Sequence, residues 1–189
     1  MNYNETLKRA EFAVQILNAA GYDAHIVGGA LRVQALGGTT NDIDIAVITT
    51  FKEGELLNKD VNILLDRLGF NFKLQHQNSD YTDDSDLFIA DWRSGDINLI
   101  AYNRSVTPTV RDLVNTFDLS INMFYKENGV LKNDIWLQGI GAVVINPNTK
   151  GHNPHLKERI ARFKQEYSHL DWSPVDKQLA IEEHMNAIL

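Results

Sequence analysis

The sequence predicts an α+β fold in which helices and short strands alternate along most of the chain. Asn4 can cap a first helix, whose apolar residues recur at helical spacing until Gly21 ends it. Apolar runs rich in β-branched residues then predict strands at residues 24–27 and 42–48. Helical spacing of apolar residues between positions 156 and 188 predicts a helical C-terminal part.

The middle of the chain continues this alternation. Apolar residues at helical spacing predict a helix over residues 56–68, and Gly69 ends it. Three further strands are predicted, at residues 70–75, 86–92 and 97–102. Residues 78–86, NSDYTDDSD, contain four Asp and little to bury. Their composition favours an acidic surface loop, with a second metal site as the alternative.

Composition limits the possible functions. The 189 residues, 43% of them hydrophobic, can form one core of ordinary size. The net charge of −7 and the absence of a Lys/Arg run disfavour broad electrostatic capture of a polynucleotide. No stretch is apolar enough for a membrane span, and the N-terminus is polar rather than a signal peptide. The chain has no cysteine, which excludes thiol chemistry and fits a cytoplasmic location.

The most informative segment covers residues 26–47, IVGGALRVQALGGTTNDIDIAV. On a strand, Asp42 and Asp44 point to the same face, about 7 Å apart along the backbone, while Ile43 and Ile45 turn inward. Two carboxylates on one face can bind one divalent cation. The pair therefore predicts a metal site at the start of this strand.

A glycine pair precedes the acidic pair. Gly28 and Gly29 let the backbone approach a ligand closely, and a helix opening at Ala30 directs free N–H groups toward an anion. Either pattern alone is common in turns or on solvated strand faces. Joined by a helix that carries Arg32, the two patterns predict phosphate bound beside a metal ion.

This combination resembles the head domain of the polymerase β-like nucleotidyltransferases, above all that of CCA-adding enzymes and bacterial poly(A) polymerases. The family pattern is Gly-Gly-x-x-Arg-Asp, a short helix ending in Leu-Gly, and then Asp-x-Asp. The residues that match it are Gly28, Gly29, Arg32, Leu36, Gly37, Asp42 and Asp44. Val33 replaces the family's Asp after the Arg.

The resemblance implies a mixed β-sheet head domain with helices on one face, followed by a short helical extension. We expect residues 1–150 to form the head and residues 151–189 a neck-like extension packed on it. Family members that handle tRNA continue through further helical domains. We therefore do not expect this chain to be a multi-domain tailing enzyme.

Two weaker motifs extend the resemblance. The segment TFDLSINM at residues 116–123 resembles the family motif Arg-Arg-Asp-Phe-Thr-Ile-Asn-Ala, although both Arg are missing. This implies that Asp118 and Asn122 face the sugar and phosphates of a nucleotide. The helix segment RIARF implies that Arg159 and Arg162 face the triphosphate or the base, with surface salt bridges as the alternative.

The positions that choose the base in the family differ in this chain. They are occupied by His152, Asn153 and Leu156, which cannot offer the same charged hydrogen bonds to a base edge. Nucleotide choice is therefore expected to differ from that of tRNA-tailing enzymes or to be relaxed.

A third carboxylate often completes such a site by binding a second cation and taking the proton of the attacking hydroxyl. In the strand GDINLIAY at residues 95–102, Asn98 stands at the expected position. Asn is a poor base. Asp96, two residues earlier on the same face, can substitute if the strand register shifts, and otherwise is a charge near a turn.

The implied activity is metal-dependent transfer of a nucleoside monophosphate from a nucleoside triphosphate to a hydroxyl acceptor, with release of pyrophosphate. Asp42 and Asp44 would hold Mg²⁺ or Mn²⁺, the glycine turn would bind the β and γ phosphates, and Arg32 would orient the turn or the phosphates. An RNA 3′ end, a protein and a small molecule all remain possible acceptors, and the oligomeric state is open.

Two alternatives remain. The first is a catalytically degenerate nucleotide-binding or interaction protein on the same fold, which Asn98 and the altered base-reading positions favour. The second is a structural α+β domain in which the two motifs are coincidental.

Overall fold

The computed structural model of the chain describes residues 3–50, 59–77, 87–127, 129–135, 142–147 and 155–186. Within these residues the helices are α1 (Tyr3–Ala19), α2 (Gly29–Leu36), α3 (Lys59–Arg67), α4 (Val110–Val114), α5 (Leu156–Glu166) and α6 (Ser173–Asn186), together with a 3-10 helix (Ser120–Asn122). Its strands are β1 (Asp23–Val27), β2 (Ile43–Thr49), β3 (Lys73–Gln77), β4 (Phe88–Ser94), β5 (Ile97–Asn103), β6 (Tyr125–Glu127) and β7 (Val130–Lys132).

Strands β1 to β5 form one mixed sheet in the order β1-β2-β5-β4-β3. Strands β2 and β5 are parallel, and the other neighbouring pairs in this sheet are antiparallel. Strands β6 and β7 form a separate antiparallel hairpin. The predicted α+β class with a mixed sheet is confirmed. Strand β2 begins one residue later than predicted, so Asp42 lies just before it.

Helices α1, α2 and α3 cover one face of the sheet, as the resemblance implied. Ile43 and Ile45 of β2 are 1% and 0% exposed and belong to the hydrophobic core on this face, as predicted. The neighbouring positions Ala46 and Ile48 point to the opposite face, where they pack with residues of the five-residue helix α4. The structure therefore adds a short helix on the second face, which the sequence analysis did not predict.

The C-terminal helices pack on a second hydrophobic cluster. Ile160, Phe163 and Tyr167 belong to the part predicted to be helical, and they are buried there together with Leu119 and Ile121 around the 3-10 helix. The expected boundary at residue 150, the acidic segment 78–86 and the first residues of the helix predicted at 56–68 lie outside the described residues. The division into head and extension stays a prediction.

Within the described part of the chain, none of the helices combines the length and the apolar character needed to cross a bilayer.

The core on the helix-covered face generates a stability prediction. Leu99 of β5 is 0% exposed, whereas Leu74 of the edge strand β3 is 44% exposed. We expect Leu99→Ala to lower the free energy of unfolding by about 2–5 kcal/mol, because it removes buried methyl groups and leaves a cavity. Leu74→Ala is the matched control. Urea denaturation that gives equal losses for both variants would contradict this core.

Candidate active site

The glycine turn is shaped by backbone conformation and by lack of space. Gly28 has φ of 68°, in the left-handed region, and a Cβ atom there would lie 3.4 Å from Oδ2 of Asp44. A Cβ atom on Gly29 would lie 2.8 Å from Oγ1 of Thr40 and would clash. Helix α2 begins at Gly29, one residue earlier than predicted. The turn therefore lies directly against the Asp44 carboxylate.

Asp42, Asp44 and Asn98 converge on one face of the sheet. Asp44 is the direct partner of Asn98 in the parallel pairing of β2 and β5. The Asn98 side-chain nitrogen Nδ2 donates to Oδ1 of Asp44 at 2.9 Å and to Oδ2 of Asp42 at 3.3 Å. One amide group thus bridges the two carboxylates, and the same-face arrangement expected from strand periodicity is present.

The environment of Asp44 disfavours its charged form. Burial raises the pKa of Asp44 from 3.8 to about 6, and the nearby charge of Asp42 contributes to the rise. The hydrogen bond from Asn98 and the positive charge of Arg32 act in the opposite direction on this pKa. At neutral pH the carboxylate pair is therefore held together at a cost in free energy, which a bound cation would remove.

The donor set suits one hard divalent cation. Mg²⁺ and Mn²⁺ prefer oxygen ligands, and Mg²⁺ is commonly held by one or two carboxylates together with substrate phosphates. Asp42 and Asp44 supply the carboxylates, and rotation of the Asn98 amide would present its oxygen instead of its N–H groups. These residues fit the metal that the sequence analysis implied.

Asp96 does not join the other carboxylates in a cluster. It lies in the turn before β5, where its backbone carbonyl accepts a hydrogen bond from the Ile43 N–H at 2.9 Å. The described residues hold no group of three His, Cys, Asp or Glu side chains able to bind a metal ion. Asn98 faces Asp42 and Asp44 instead, and a catalytic role for Asp96 stays a prediction.

Arg32 is buried and bonded to side chains of other elements. It is 6% exposed, and its guanidinium stacks 4.3 Å from the centre of the Phe163 ring. Its Nε donates to the Tyr167 hydroxyl at 3.1 Å, and another of its N–H groups donates to Oδ1 of Asn122. Arg32 therefore joins α2 to the 3-10 helix and to α5.

Three further predicted residues continue this network. Asn122 donates from Nδ2 to Oδ1 of Asp118 at 3.3 Å, and Arg159 donates to Oδ2 of the same carboxylate. Arg32, Asn122, Asp118 and Arg159 thus form one chain of hydrogen bonds. Arg162 lies outside this chain, is exposed and packs 4.9 Å from the Phe163 ring centre. Of the altered base-reading positions, Leu156 begins α5, and residues 152 and 153 lie outside the described residues.

The end of α5 holds the loop that leads to Asp42, which the sequence analysis missed. The Tyr167 hydroxyl donates to the Gly37 carbonyl at 3.1 Å, and the Glu166 carboxylate accepts from the Thr39 N–H at 2.7 Å. The sequence analysis placed Tyr167 only in the helical C-terminal part. Its polar role depends on a partner 130 residues away in sequence, and local spacing carries no signal for such a pair.

We compared the sequence and the fold of this chain with those of known proteins. No protein-family model matches the chain. Over 52 residues, 27% of this chain, it is 44% identical to the CC-adding tRNA nucleotidyltransferase of Shouchella clausii (strain KSM-K16). A solved CCA-adding enzyme in complex with ATP superposes with a TM-score of 0.60 over 98% of this chain, at 17% identity. This chain shares its fold with part of the CCA-adding enzymes.

A second solved structure agrees with this result. The Thermotoga maritima CCA-adding enzyme in complex with tRNA matches 87% of this chain with a TM-score of 0.55 and 19% identity. The chain spans 45% of the ATP complex, 38% of the tRNA complex and 14% of the Shouchella clausii protein. The predicted resemblance to the head domain of CCA-adding enzymes is confirmed at the level of the fold.

The hydrogen-bond network around Arg32 can be tested through the stability of the protein. We expect Arg32→Lys to lower the free energy of unfolding by about 2–3 kcal/mol, because lysine lacks the planar fork that serves Tyr167 and Asn122 together. Arg162→Lys is the matched control, since Arg162 stacks on the same ring but is exposed. Chemical denaturation measures both. Equal effects would show that the buried hydrogen bonds of Arg32 contribute nothing.

The raised pKa of Asp44 predicts how the stability of the fold depends on pH. Because burial raises this pKa to about 6, ionised Asp44 destabilises the metal-free fold above that pH, and protonation relieves the effect as pH falls toward 3.8. Without divalent cations, Asp44→Asn should therefore stabilise the fold by roughly 1–3 kcal/mol at pH 8 and by less at pH 5. Thermal unfolding at both pH values measures this difference. An equal stability difference between the variant and the wild type at both pH values would refute the raised pKa of Asp44.

Proposed function

We propose that this chain is a metal-dependent nucleotidyltransferase. It transfers a nucleoside monophosphate from a nucleoside triphosphate to an acceptor hydroxyl and releases pyrophosphate. The observation that carries the proposal is the convergence of Asp42 and Asp44 beside the Gly28 turn, within a fold shared with CCA-adding enzymes.

Asp42 and Asp44 would hold Mg²⁺ or Mn²⁺. When bound, such an ion polarises the phosphoryl oxygens and neutralises charge that develops during transfer. The Gly28-Gly29 turn would bind the β and γ phosphates, because its backbone can approach them closely and the start of α2 presents free N–H groups. The positive charge of Arg32, fixed by Tyr167 and Asn122, would act on the same region.

Asp118 and Asn122 would contact the sugar side of the nucleotide. Their mutual hydrogen bond, and the ion pair of Asp118 with Arg159, support a preformed arrangement in this part of the site. Arg159 has a side chain that is 37% exposed, which leaves it accessible to a triphosphate, and exposed Arg162 on the same helix could reach the base or the phosphates. Base preference would follow from this helix.

The acceptor oxygen would form a bond to the α-phosphorus. The bond from the α-phosphorus to the bridging oxygen of the β-phosphate would break, and pyrophosphate would leave with the electron pair. Asp96, in the turn directly before the strand that carries Asn98, is our candidate to receive the proton of the acceptor hydroxyl. RNA is the acceptor class we favour, since a relative of the same fold was solved with tRNA. Protein and small-molecule hydroxyls are the alternatives.

A second candidate function is nucleotide binding without transfer. It is favoured by Asn98, which offers both carboxylates an amide where the family resemblance implies a third carboxylate. Such a protein would bind a nucleoside triphosphate in a Mg²⁺-dependent manner and release no pyrophosphate.

We predict that the wild-type protein incorporates label from at least one of the four α-³²P nucleoside triphosphates into RNA or protein of a cell lysate, with Mg²⁺ or Mn²⁺. Asp42→Asn and Asp44→Asn should each lower this transfer at least ~100-fold, because each removes a charged metal ligand. Asp66→Asn, on the exposed surface of α3, is the matched control. Wild-type rates in either Asn variant would refute the proposed metal site.

Calorimetry with the same nucleotides separates the two candidate functions. Binding of a triphosphate without release of pyrophosphate would favour the non-catalytic candidate. The absence of any Mg²⁺-dependent nucleotide binding would contradict both.

A further inference from the structure

We propose that Asn98 is a positioning residue that holds Asp42 and Asp44 together and limits this carboxylate pair to one divalent cation. The inference rests on the proposed function, because it concerns the same two carboxylates. It goes beyond that function by assigning the number of ions at the site and the residue that sets it.

The position of Asn98 is fixed by the sheet. Ile97 and Leu99, its neighbours on β5, are 1% and 0% exposed and pack in the core on the opposite face. Strand alternation therefore directs Asn98 to the carboxylate face, and the parallel register places it directly across from Asp44. A shift of register that would replace Asn98 by Asp96 would move two residues of β5 past β2 and would disrupt this pairing.

A single amide group serves both acids. The two N–H groups on Nδ2 can donate to separate acceptors, and the distances of 2.9 Å to Asp44 and 3.3 Å to Asp42 allow both hydrogen bonds at once. The positive end of the amide dipole thus lies between two groups that repel each other. This arrangement brings the carboxylates together before a cation binds.

Asp44 is held from a second side. Its Oδ1 accepts from Asn98, while its Oδ2 lies beside Gly28, where an added Cβ atom would come within 3.4 Å. The carboxylate is therefore oriented between the Asn98 amide and the glycine turn. A Cβ atom at position 28 would contact the oxygen that faces the turn, and the left-handed φ of Gly28 disfavours any side chain there.

The charge at the site matches one ion. Asp42 and Asp44 together carry two negative charges when ionised, and Asn98 adds none. A pair of divalent cations a few ångströms apart requires further anionic ligands to offset their mutual repulsion. An amide oxygen is a weaker partner than a carboxylate for a hard cation, so the site as built favours a single ion.

The test counts bound Mn²⁺ by electron paramagnetic resonance. The protein is loaded with the α,β-methylene analogue of whichever nucleoside triphosphate binds by calorimetry, so that no transfer occurs. We expect about one Mn²⁺ per wild-type complex and about two for Asn98→Asp, because the new carboxylate supplies the missing anionic ligand. Asn103→Asp adds the same charge to the same strand away from the carboxylate pair, and should remain at about one.

Asn98→Ala tests the positioning role, and it keeps the inference testable if Asn98→Asp does not fold. It should still bind about one Mn²⁺, with affinity reduced roughly tenfold, because the carboxylates lose the group that holds them together. Thermal unfolding verifies that each variant is folded. Unchanged Mn²⁺ affinity in Asn98→Ala would overturn the positioning role.

The possible ion counts separate this inference from the proposed function. Two ions in the wild-type complex, or no gain in folded Asn98→Asp, would overturn the inference while leaving nucleotidyl transfer intact. One ion in the wild type and two in Asn98→Asp, with no transfer detected in the lysate assay, would support the inference and reject the activity. No bound Mn²⁺, or no analogue that binds, would overturn both.

Discussion

The parallel pairing of β2 with β5 is the constraint on which the rest of the structure depends. One face of this pair supplies Ile45 and Leu99 to the core, each 0% exposed, and the other face carries Asp44 directly opposite Asn98. Because side chains alternate along each strand, the same register that buries the apolar residues also creates the candidate site. A slip of this register by one residue would turn the apolar side chains out of the core and turn the carboxylates into it.

Arg32 connects that site to helix α5 and to the 3-10 helix. A buried guanidinium is costly unless its donors are satisfied, and here Tyr167, Asn122 and the Phe163 ring surround it. The same tyrosine hydroxyl bonds to the carbonyl of Gly37, in the loop that precedes Asp42. The end of α5 therefore contacts both Arg32 and the loop that precedes Asp42.

The two carboxylates of the site repel each other, and neighbouring polar groups offset part of that repulsion. Burial and the charge of Asp42 oppose ionisation of Asp44, while Asn98 and Arg32 favour it. A folded site that keeps two acids close without a cation needs such compensation, and the amide supplies it without adding charge. The balance explains how two neighbouring carboxylates can coexist with a stable sheet.

The sequence by itself determined the α+β class, the same-face placement of Asp42 and Asp44 and the inward turn of Ile43, because all three follow from local periodicity and backbone preference. Only the tertiary structure decided that Asn98 bridges both acids. Only it showed that Arg32 is buried and that Tyr167 holds the loop before Asp42. These contacts join residues 54 to 135 positions apart, and they depend on sheet order and helix packing, which no local pattern encodes.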